Sequence, residues 1–346
     1  MTRPVVKALT LVTDDGVAID AVHLPGEGDV GFVIAHGFTL SWQHGAVWKV
    51  ASRLQEAGGV VSFDFRGHGR SGGLSTMGDL EIKDLDVAVR YARELGYRRI
   101  AAVGFSMGAS AVVRYAGLVG GLDAAVSVSG PGHWYYRGTK PMRRVHFAVE
   151  RRVGRAITRT WLKTRVSPGG WNPVPVPPDE AAAMISPTPL LIVHGDQDPY
   201  FPVFHGQRLF DAAREPKELW VEPGFGHAES GTDGPLLDRI AGWVRERALV
   251  PPESVLDVSV ELREELGAEV NAHCTVGVPP LQVAAVAIGD SEPDPAEIEE
   301  VPQIPAIIAR LDPRTQVREG ERARLHVDLD SLHFFDPDTG DSIRGD

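Results

Sequence analysis

The chain has 346 residues, of which 43% are apolar and 24% charged, so at least one well-buried core can form. A formal net charge of −12 disfavours nucleic acid as a general partner. The single cysteine excludes a disulfide framework, and no apolar run reaches the ~20 residues of a membrane-spanning helix. The amino terminus also lacks a charged leader followed by an apolar core, so these features predict a soluble cytoplasmic protein.

The charge is divided unevenly along the chain. From Pro251 onward there are 21 acidic and 7 basic residues, whereas the first 250 residues hold 26 acidic and 28 basic ones. An asymmetry of this size predicts two independently composed domains, 1–250 and an acidic 253–346. The junction "RERALVPPES" fits this division, because consecutive prolines end the preceding helix.

Strand patterns and helix patterns alternate through the first 250 residues. Two runs, "VKALTLVT" and "VAIDAVHL", separated by "DDG", predict an antiparallel hairpin at a sheet edge. Amphipathic stretches at 44–57 and 79–95 have helical spacing. Nearly continuous apolar runs are typical of parallel strands covered on both faces, and they lie at 30–37, 59–65, 99–105, 123–129 and 189–195.

The alternation breaks between about 131 and 185, which predicts an insertion over the sheet. Ten cationic residues lie between Arg137 and Arg165 against one acid, Glu150. They would form a solvated face, or meet the acidic C-terminal segment, an anionic substrate or a lipid surface. The aromatic residues of the insertion would line a pocket or cover the apolar edge of the sheet. These candidates are Trp134, Tyr135, Tyr136 and Trp161.

The segment "RIAAVGFSMGASAVV" (99–113) places Ser106 between two glycines where a strand pattern gives way to a helix pattern. A serine hydroxyl is a poor nucleophile unless a base removes its proton and hydrogen-bond donors stabilise the oxyanion that forms. A tight strand-to-helix turn exposes the hydroxyl and points the first helix amides at the developing charge. The pattern G-x-S-x-G in this context indicates a nucleophile elbow, and the alternative is a small-residue packing turn.

Two later loops supply an acid and a histidine in the order Ser, Asp, His. "LLIVHGDQDPYFP" places Asp198 after a predicted strand, with Asp196 as a competitor two residues away. "LWVEPGFGHAES" places His227 just past another predicted strand and ahead of the last helix. Further histidines are interpreted as structural, namely His36, His68 and His194.

Four motifs stand in order along the chain: "HGF" (36–38), "DFRGHGRS" (64–71), "GFSMG" (104–108), and "GDQDPYFP" with "GFGH". With them, residues 1 to about 249 resemble the serine esterases of the α/β-hydrolase superfamily. The resemblance implies an α/β fold in which a hydrolase sheet carries an inserted cap at about 131–185. It also implies a small-molecule acyl substrate, a carboxylic ester or thioester, cleaved without a cofactor or a metal.

The same resemblance assigns roles to individual residues. Ser106 would attack, His227 would act as general base and then general acid, and Asp198 would hold the imidazole in its productive tautomer. The family places its acid four residues before a proline, here Pro202, which favours Asp198 over Asp196. The oxyanion hole would consist of backbone N–H groups, those of Phe38 and Met107.

From Ser254 onward, short strand-like runs with intervening turns predict a small all-β module. The stretches "ELREELGAEVNAHCTVG" and "ARLDPRTQVREGERARLHVDLDSLHFFDPDTGDSI" make residues 253–344 resemble the TOBE domain, an OB-like barrel, of ATPase subunits in bacterial ABC sugar importers. The chain has no G-x-x-x-x-G-K-[ST] motif, so ATP hydrolysis is not predicted. The resemblance implies a possible protein partner or self-association through this domain, and an alternative function as a catalytically idle scaffold for binding or regulation.

Overall fold

The chain forms two compact units, Met1–Leu249 and Val250–Asp346. No helix in the described ranges is both long and apolar enough to cross a membrane. The structure, a computed structural model, describes residues 7–248, 255–265, 270–276, 306–311, 317–326, 334–335 and 342–343.

An eight-stranded mixed sheet organises the first unit, in the order β1-β2-β4-β3-β5-β6-β7-β8. The β1/β2 and β2/β4 pairs are antiparallel and all the other neighbours are parallel. The predicted edge hairpin and the parallel centre are therefore both confirmed. The strands are β1 (Lys7–Val12), β2 (Ala18–Leu24), β3 (Val30–Ala35), β4 (Gly59–Phe63), β5 (Arg99–Phe105), β6 (Ala124–Val128), β7 (Leu190–Gly195) and β8 (Lys217–Glu222).

Helices cover both faces of this sheet, which explains why its central strands are continuously apolar. In β3, Phe32 and Ile34 join the core beneath α1 and α9, whereas Val33 and Ala35 join the core beneath α2, α3, α6 and α7. Burying one such side chain contributes about 1.5–3 kcal/mol. The helices are α1 (Gly45–Leu54), α2 (Glu81–Glu94), α3 (Met107–Leu118), α4 (Lys140–Glu150), α5 (Arg152–Trp161), α6 (Pro178–Ala182), α7 (Phe204–Ala212), α8 (Ala228–Gly231) and α9 (Gly234–Ala248).

The predicted insertion contains a helical hairpin made of α4 and α5. A side chain at Gly154 would collide with the backbone of α4, so this glycine lets the two helices approach closely. The chain then returns to the main body, where the Arg165 N–H donates to the Gly67 carbonyl at 2.7 Å. The end of the predicted 131–185 insertion belongs to the main core, because Ala181, Ala182 and Ile185 pack with α3.

The turn that follows β4 is held by buried polar groups. Asp64 accepts backbone N–H bonds from Trp42 at 2.7 Å and from Arg70 at 3.0 Å. His36 accepts the Phe65 N–H at 3.1 Å, and its ring lies 5.2 Å from that of His68. Burial lowers the pKa of His36 to about 4 and that of His68 to about 3, so both rings are neutral. These contacts agree with a structural role for the two histidines.

Within its described residues, the second unit contains a four-stranded antiparallel sheet in the order β11-β10-β9-β12, and a two-stranded pair, β13-β14. Its core includes Val258, Val260, Ala272 and the buried thiol of Cys274. Residues 277–305, and most of the stretch "LHFFDPDTG" within the second TOBE-like segment, lie outside the described residues. The strands are β9 (Val255–Glu265), β10 (Val270–Val276), β11 (Ala306–Leu311), β12 (Arg322–His326), β13 (Phe334–Phe335) and β14 (Ser342–Ile343).

The buried neutral His68 predicts a pH-dependent stability. Between pH 6.5 and about 3, His68 binds a proton in the unfolded chain but not in the folded protein. The free energy of unfolding therefore falls as the pH falls. In His68→Gln, the slope of this free energy between pH 6 and 4 should decrease by about 1.4 kcal/mol per pH unit. Urea unfolding followed by tryptophan fluorescence measures it for the first unit, since all 7 tryptophans precede residue 250. Equal slopes in the two proteins would contradict the assignment.

Candidate active site

Ser106 lies on a strained turn between β5 and α3. Its backbone has φ 52° and ψ −113°, a left-handed conformation that costs a non-glycine residue about 1–3 kcal/mol. A side chain at Gly104 would collide with the backbone at Gly108, and one at Gly108 would collide with the backbone at Ala35. The two glycines therefore allow strand and helix to pack closely enough to form the turn. The Ser106 N–H donates to the Val128 carbonyl at 3.0 Å, which fixes the turn to the neighbouring strand.

Three predicted site residues lie in hydrogen-bond contact. His227 Nε2 is 3.0 Å from Ser106 Oγ, and His227 Nδ1 is 2.7 Å from Asp198 Oδ2. Each residue follows the carboxyl end of a parallel strand (β5, β7 or β8), and these ends meet at one edge of the sheet. The fold thus joins side chains that stand 29 and 121 residues apart in the sequence.

Asp198 is held as an ionised carboxylate. Its other oxygen, Oδ1, accepts backbone N–H bonds from Tyr200 at 2.8 Å and Phe201 at 3.0 Å. Burial alone would raise the pKa of Asp198, but the hydrogen bond and charge of His227 together with these amides outweigh it and lower the pKa. An ionised carboxylate only accepts hydrogen bonds, so His227 Nδ1 carries a proton, and in the neutral imidazole Nε2 accepts the hydrogen bond from Ser106.

Asp196, the competing acid, lies elsewhere in the same loop. It is exposed, and its Oδ1 accepts the Gly224 N–H at 2.7 Å. The structure therefore brings Asp198 to His227 and leaves Asp196 on the loop surface. The neighbouring His194 is buried, and its Nε2–H donates to the Phe201 carbonyl at 2.8 Å. Burial lowers the pKa of His194, so this ring adds no positive charge beside Asp198.

The loop that carries His227 is fixed on several sides. The Tyr200 ring stacks on the imidazole with centroids 4.4 Å apart. The Ala228 N–H donates to Ser129 Oγ at 3.1 Å, and both Ser129 and Ala228 have positive φ angles near 50°. These contacts limit rotation of the His227 ring between its two partners.

Glu229 is a buried acid at the site that the sequence analysis missed. Its side chain is 2% exposed, and Oε1 accepts the Gly37 N–H at 2.6 Å. Burial raises the pKa of Glu229, opposed by its own amide, the Gly37 amide and the charge of His227. The carboxyl group thus joins the His227 loop to the "HGF" loop after β3. The only signal in the sequence is an acid two residues past the histidine, which resembles an ordinary first-turn helix acid.

The comparisons with known proteins agree with this fold. The model of the "Alpha/beta hydrolase family" matches residues 32–246. The chain belongs to the alpha/beta hydrolase family. A protein named monoacylglycerol lipase from Mycolicibacterium smegmatis is 30% identical over 255 residues, which cover 61% of this hydrolase and 86% of that protein. A crystal structure of the Pyrococcus furiosus esterase Pf2001 superposes with a TM-score of 0.57 and 25% identity, covering 70% of this hydrolase and 92% of that chain.

The two amides expected to form an oxyanion hole both lie close to Ser106, the predicted nucleophile of this hydrolase. Met107 directly follows Ser106 and begins α3. Phe38 follows Gly37, where the Cβ of any other residue would lie 3.4 Å from the Ser106 Cβ. Within residues 7–248, no acceptor takes up the N–H of Phe38 or of Met107. Both donors are therefore available to a ligand.

The aromatic residues of the insertion separate into two groups. The Trp134 indole N–H donates to the Pro175 carbonyl at 2.9 Å, and its ring lies 4.8 Å from that of Trp171. Tyr136 packs against Phe201 in the loop that holds Asp198. Trp161, at the end of α5, is 82% exposed, so it does not line an enclosed pocket in this hydrolase.

The contacts of the two aspartates predict different effects of the same substitution. Asp198→Asn should reduce kcat about 10³–10⁴-fold, because the amide no longer stabilises the imidazolium or fixes its tautomer. Asp196→Asn is the matched control and should keep kcat within about two-fold, since an asparagine Oδ1 still accepts the Gly224 N–H. Steady-state hydrolysis of p-nitrophenyl butyrate measures both. Comparable losses in the two variants would contradict the assignment of Asp198.

Proposed function

We propose that this hydrolase cleaves carboxylic esters or thioesters through an acyl enzyme on Ser106. Ser106 Oγ attacks the carbonyl carbon while His227 Nε2 takes its proton. The N–H groups of Phe38 and Met107 stabilise the tetrahedral oxyanion. Collapse of the intermediate expels an alcohol or thiol, which takes the proton back from His227, and water then releases the acid by the same route.

One observation carries the proposal: a single imidazole bridges an accessible serine hydroxyl and a buried carboxylate. The Asp198 side chain is fully buried, and the His227 side chain is 16% exposed. The buried negative charge therefore lies on one side of the imidazole and the Ser106 hydroxyl on the other. If Ser106 lay in a packing turn only, the turn would need neither an adjacent histidine nor a strained φ. It would also not need two neighbouring amides without acceptors. This arrangement has the geometry of a nucleophile activated by an oriented base.

The relatives support the reaction class. The chain is an ester-cleaving hydrolase, as the names of the mycobacterial lipase and the archaeal esterase indicate. An aspartate at the nucleophile position would have indicated dehalogenase or epoxide hydrolase chemistry, whereas the serine at 106 supports acyl transfer.

Glu229 acts in this proposal as a positioning residue. By accepting the Gly37 N–H, it fixes the peptide that precedes Phe38 and so the direction of the Phe38 N–H. Its hydrogen bond also couples this loop to the segment that begins at His227. Within residues 7–248, its carboxyl group hydrogen-bonds with backbone amides, those of Gly37 and of Glu229 itself, and not with Ser106 or His227.

A second candidate function assigns the chain a binding or regulatory role through a TOBE-like second unit. The sequence resemblance over 253–344 and the small antiparallel sheet support a separate β module in that region. In that case the first unit would be a catalytically idle scaffold, and the second unit would recruit a protein partner or another copy of the chain. The contact between His227 and Ser106 favours the enzyme.

Replacing the nucleophile distinguishes these candidates. Ser106→Ala should abolish turnover of p-nitrophenyl butyrate and remove the burst of p-nitrophenol equal to the enzyme concentration, because no acyl enzyme can form. Ser110→Ala is a matched control on the same helix, since Ser110 Oγ donates only to the Met107 carbonyl within its own turn. Circular dichroism and thermal unfolding check that both variants fold. Unchanged turnover in Ser106→Ala would refute the acyl-enzyme assignment.

The positioning role of Glu229 predicts a graded pair of variants. Glu229→Ala should lower kcat by about ten-fold or more with little change in KM, because the Gly37 peptide loses its acceptor and one oxyanion donor is misdirected. Glu229→Gln should recover most of the loss, since an amide oxygen still accepts that N–H. If both variants lost kcat equally, the negative charge rather than the hydrogen bond would be the important property, and the positioning role would be wrong.

A further inference from the structure

The α4–α5 hairpin exposes large apolar side chains on a surface that nothing in the first unit covers. Val153, Ile157 and Trp161 recur every four residues, so they lie within about 80° of one another around α5. Val153 is 65% and Trp161 82% exposed. An apolar stripe at this spacing normally faces a core, yet here it faces solvent. We call the following set the hairpin surface: Phe147, Val153, Ile157, Trp161 and Leu162.

The hairpin surface is surrounded by cations. In the described part of the chain, six exposed basic side chains of this region form no ion pair or hydrogen bond: Lys140, Arg144, Arg151, Arg152, Arg159 and Lys163. The one acid of the hairpin, Glu150, is already engaged by Arg137 and by the imidazole of His146 at 2.8 Å. A surface cleft on α4 brings basic and apolar groups together and is lined by Lys140, Arg143, Arg144 and Phe147.

The hairpin begins beside the candidate active site. Thr139 caps α4, accepting the Met142 N–H at 3.3 Å, and its hydroxyl donates to the Tyr200 carbonyl at 2.9 Å. Tyr200 is the residue whose ring stacks on His227. A surface that binds the hairpin is therefore held near the loop that carries the catalytic base.

We propose that the hairpin surface docks onto an anionic phospholipid bilayer as a peripheral contact. A helix with tryptophan and aliphatic residues on one face and arginines on the flank lies in the plane of a membrane interface. Its apolar face is buried among the lipids, and its arginines pair with the lipid phosphates. Each arginine near an anionic leaflet strengthens binding by about five-fold. The excess of unpaired cations over acids selects an anionic surface rather than a neutral one.

Vesicle sedimentation of the full chain tests the proposal. The protein should sediment with phosphatidylcholine vesicles that contain phosphatidylglycerol, remain in solution with phosphatidylcholine alone, and dissociate as salt is raised. Turnover of a short-chain soluble ester, measured on the same samples, reports the catalytic site separately. A loss of vesicle binding is thereby distinguishable from a loss of activity.

Two pairs of variants assign the contact to the hairpin surface. Arg152→Glu with Arg159→Glu should weaken binding to the anionic vesicles by about 25-fold or more, from two charges at about five-fold each. Ile157→Ser with Trp161→Ser should weaken it by about ten-fold or more through the lost apolar insertion. The matched controls are Arg214→Glu, an exposed cation without a partner in residues 7–248, and Val119→Ser, a 54% exposed valine at the end of α3. Both controls should bind like the parent protein.

A second readout covers direct insertion. Brominated phospholipids should quench part of the tryptophan fluorescence of the parent protein, and Trp161→Phe should remove that part while retaining binding. The proposal is wrong if the parent protein remains in solution with anionic vesicles, if neutral vesicles bind it equally, or if the controls lose binding as much as the hairpin variants. It is also wrong if the parent protein does not bind vesicles and instead elutes as a dimer that Trp161→Ser dissociates, because the surface would then be a contact between copies of the chain.

Discussion

The left-handed backbone at Ser106 is the constraint on which the rest of the active site depends. A turn of this kind costs about 1–3 kcal/mol and persists only because β5 is packed on both faces of the sheet and α3 is packed against one of them. Gly104 and Gly108 remove the side chains that would push strand and helix apart. The hydroxyl consequently projects at the carboxyl edge of the parallel strands, where the loops after β3, β7 and β8 also begin.

The polarity of the site follows from burial. Asp198 keeps its negative charge in the interior because three donors reach it, and that charge determines which nitrogen of His227 carries the proton. The other buried histidines are kept neutral by desolvation. A single charged acceptor therefore orients the imidazole of His227, which we propose as the base. Glu229, two residues further along the chain, accepts the N–H of Gly37, the residue before Phe38.

The parts of this protein that follow from local pattern were predictable, and those that depend on distant contacts were not. The strands around "VGFVIAHG" and "PLLIVHG" and the turn at Ser106 are encoded in short stretches whose hydrophobicity and glycines admit few alternatives. The role of Glu229 depends on a hydrogen bond to a residue 192 positions earlier, which no local pattern reveals. Similarly, the periodicity of Val153, Ile157 and Trp161 gives a helix with an apolar stripe but does not say whether a core covers it. The TOBE resemblance stays a prediction, since much of the sequence that carries it, including most of "LHFFDPDTG", lies outside the described residues.

The central claim is that His227, oriented by Asp198, makes the hydroxyl of Ser106 unusually reactive. The most direct measurement is covalent labelling by a fluorophosphonate, followed by intact mass and peptide mapping. The account predicts one phosphonyl group per chain, on Ser106, with a rate that falls about 10³-fold or more in His227→Ala. A natively folded protein that gains no adduct, or that carries it on another residue, would contradict the account.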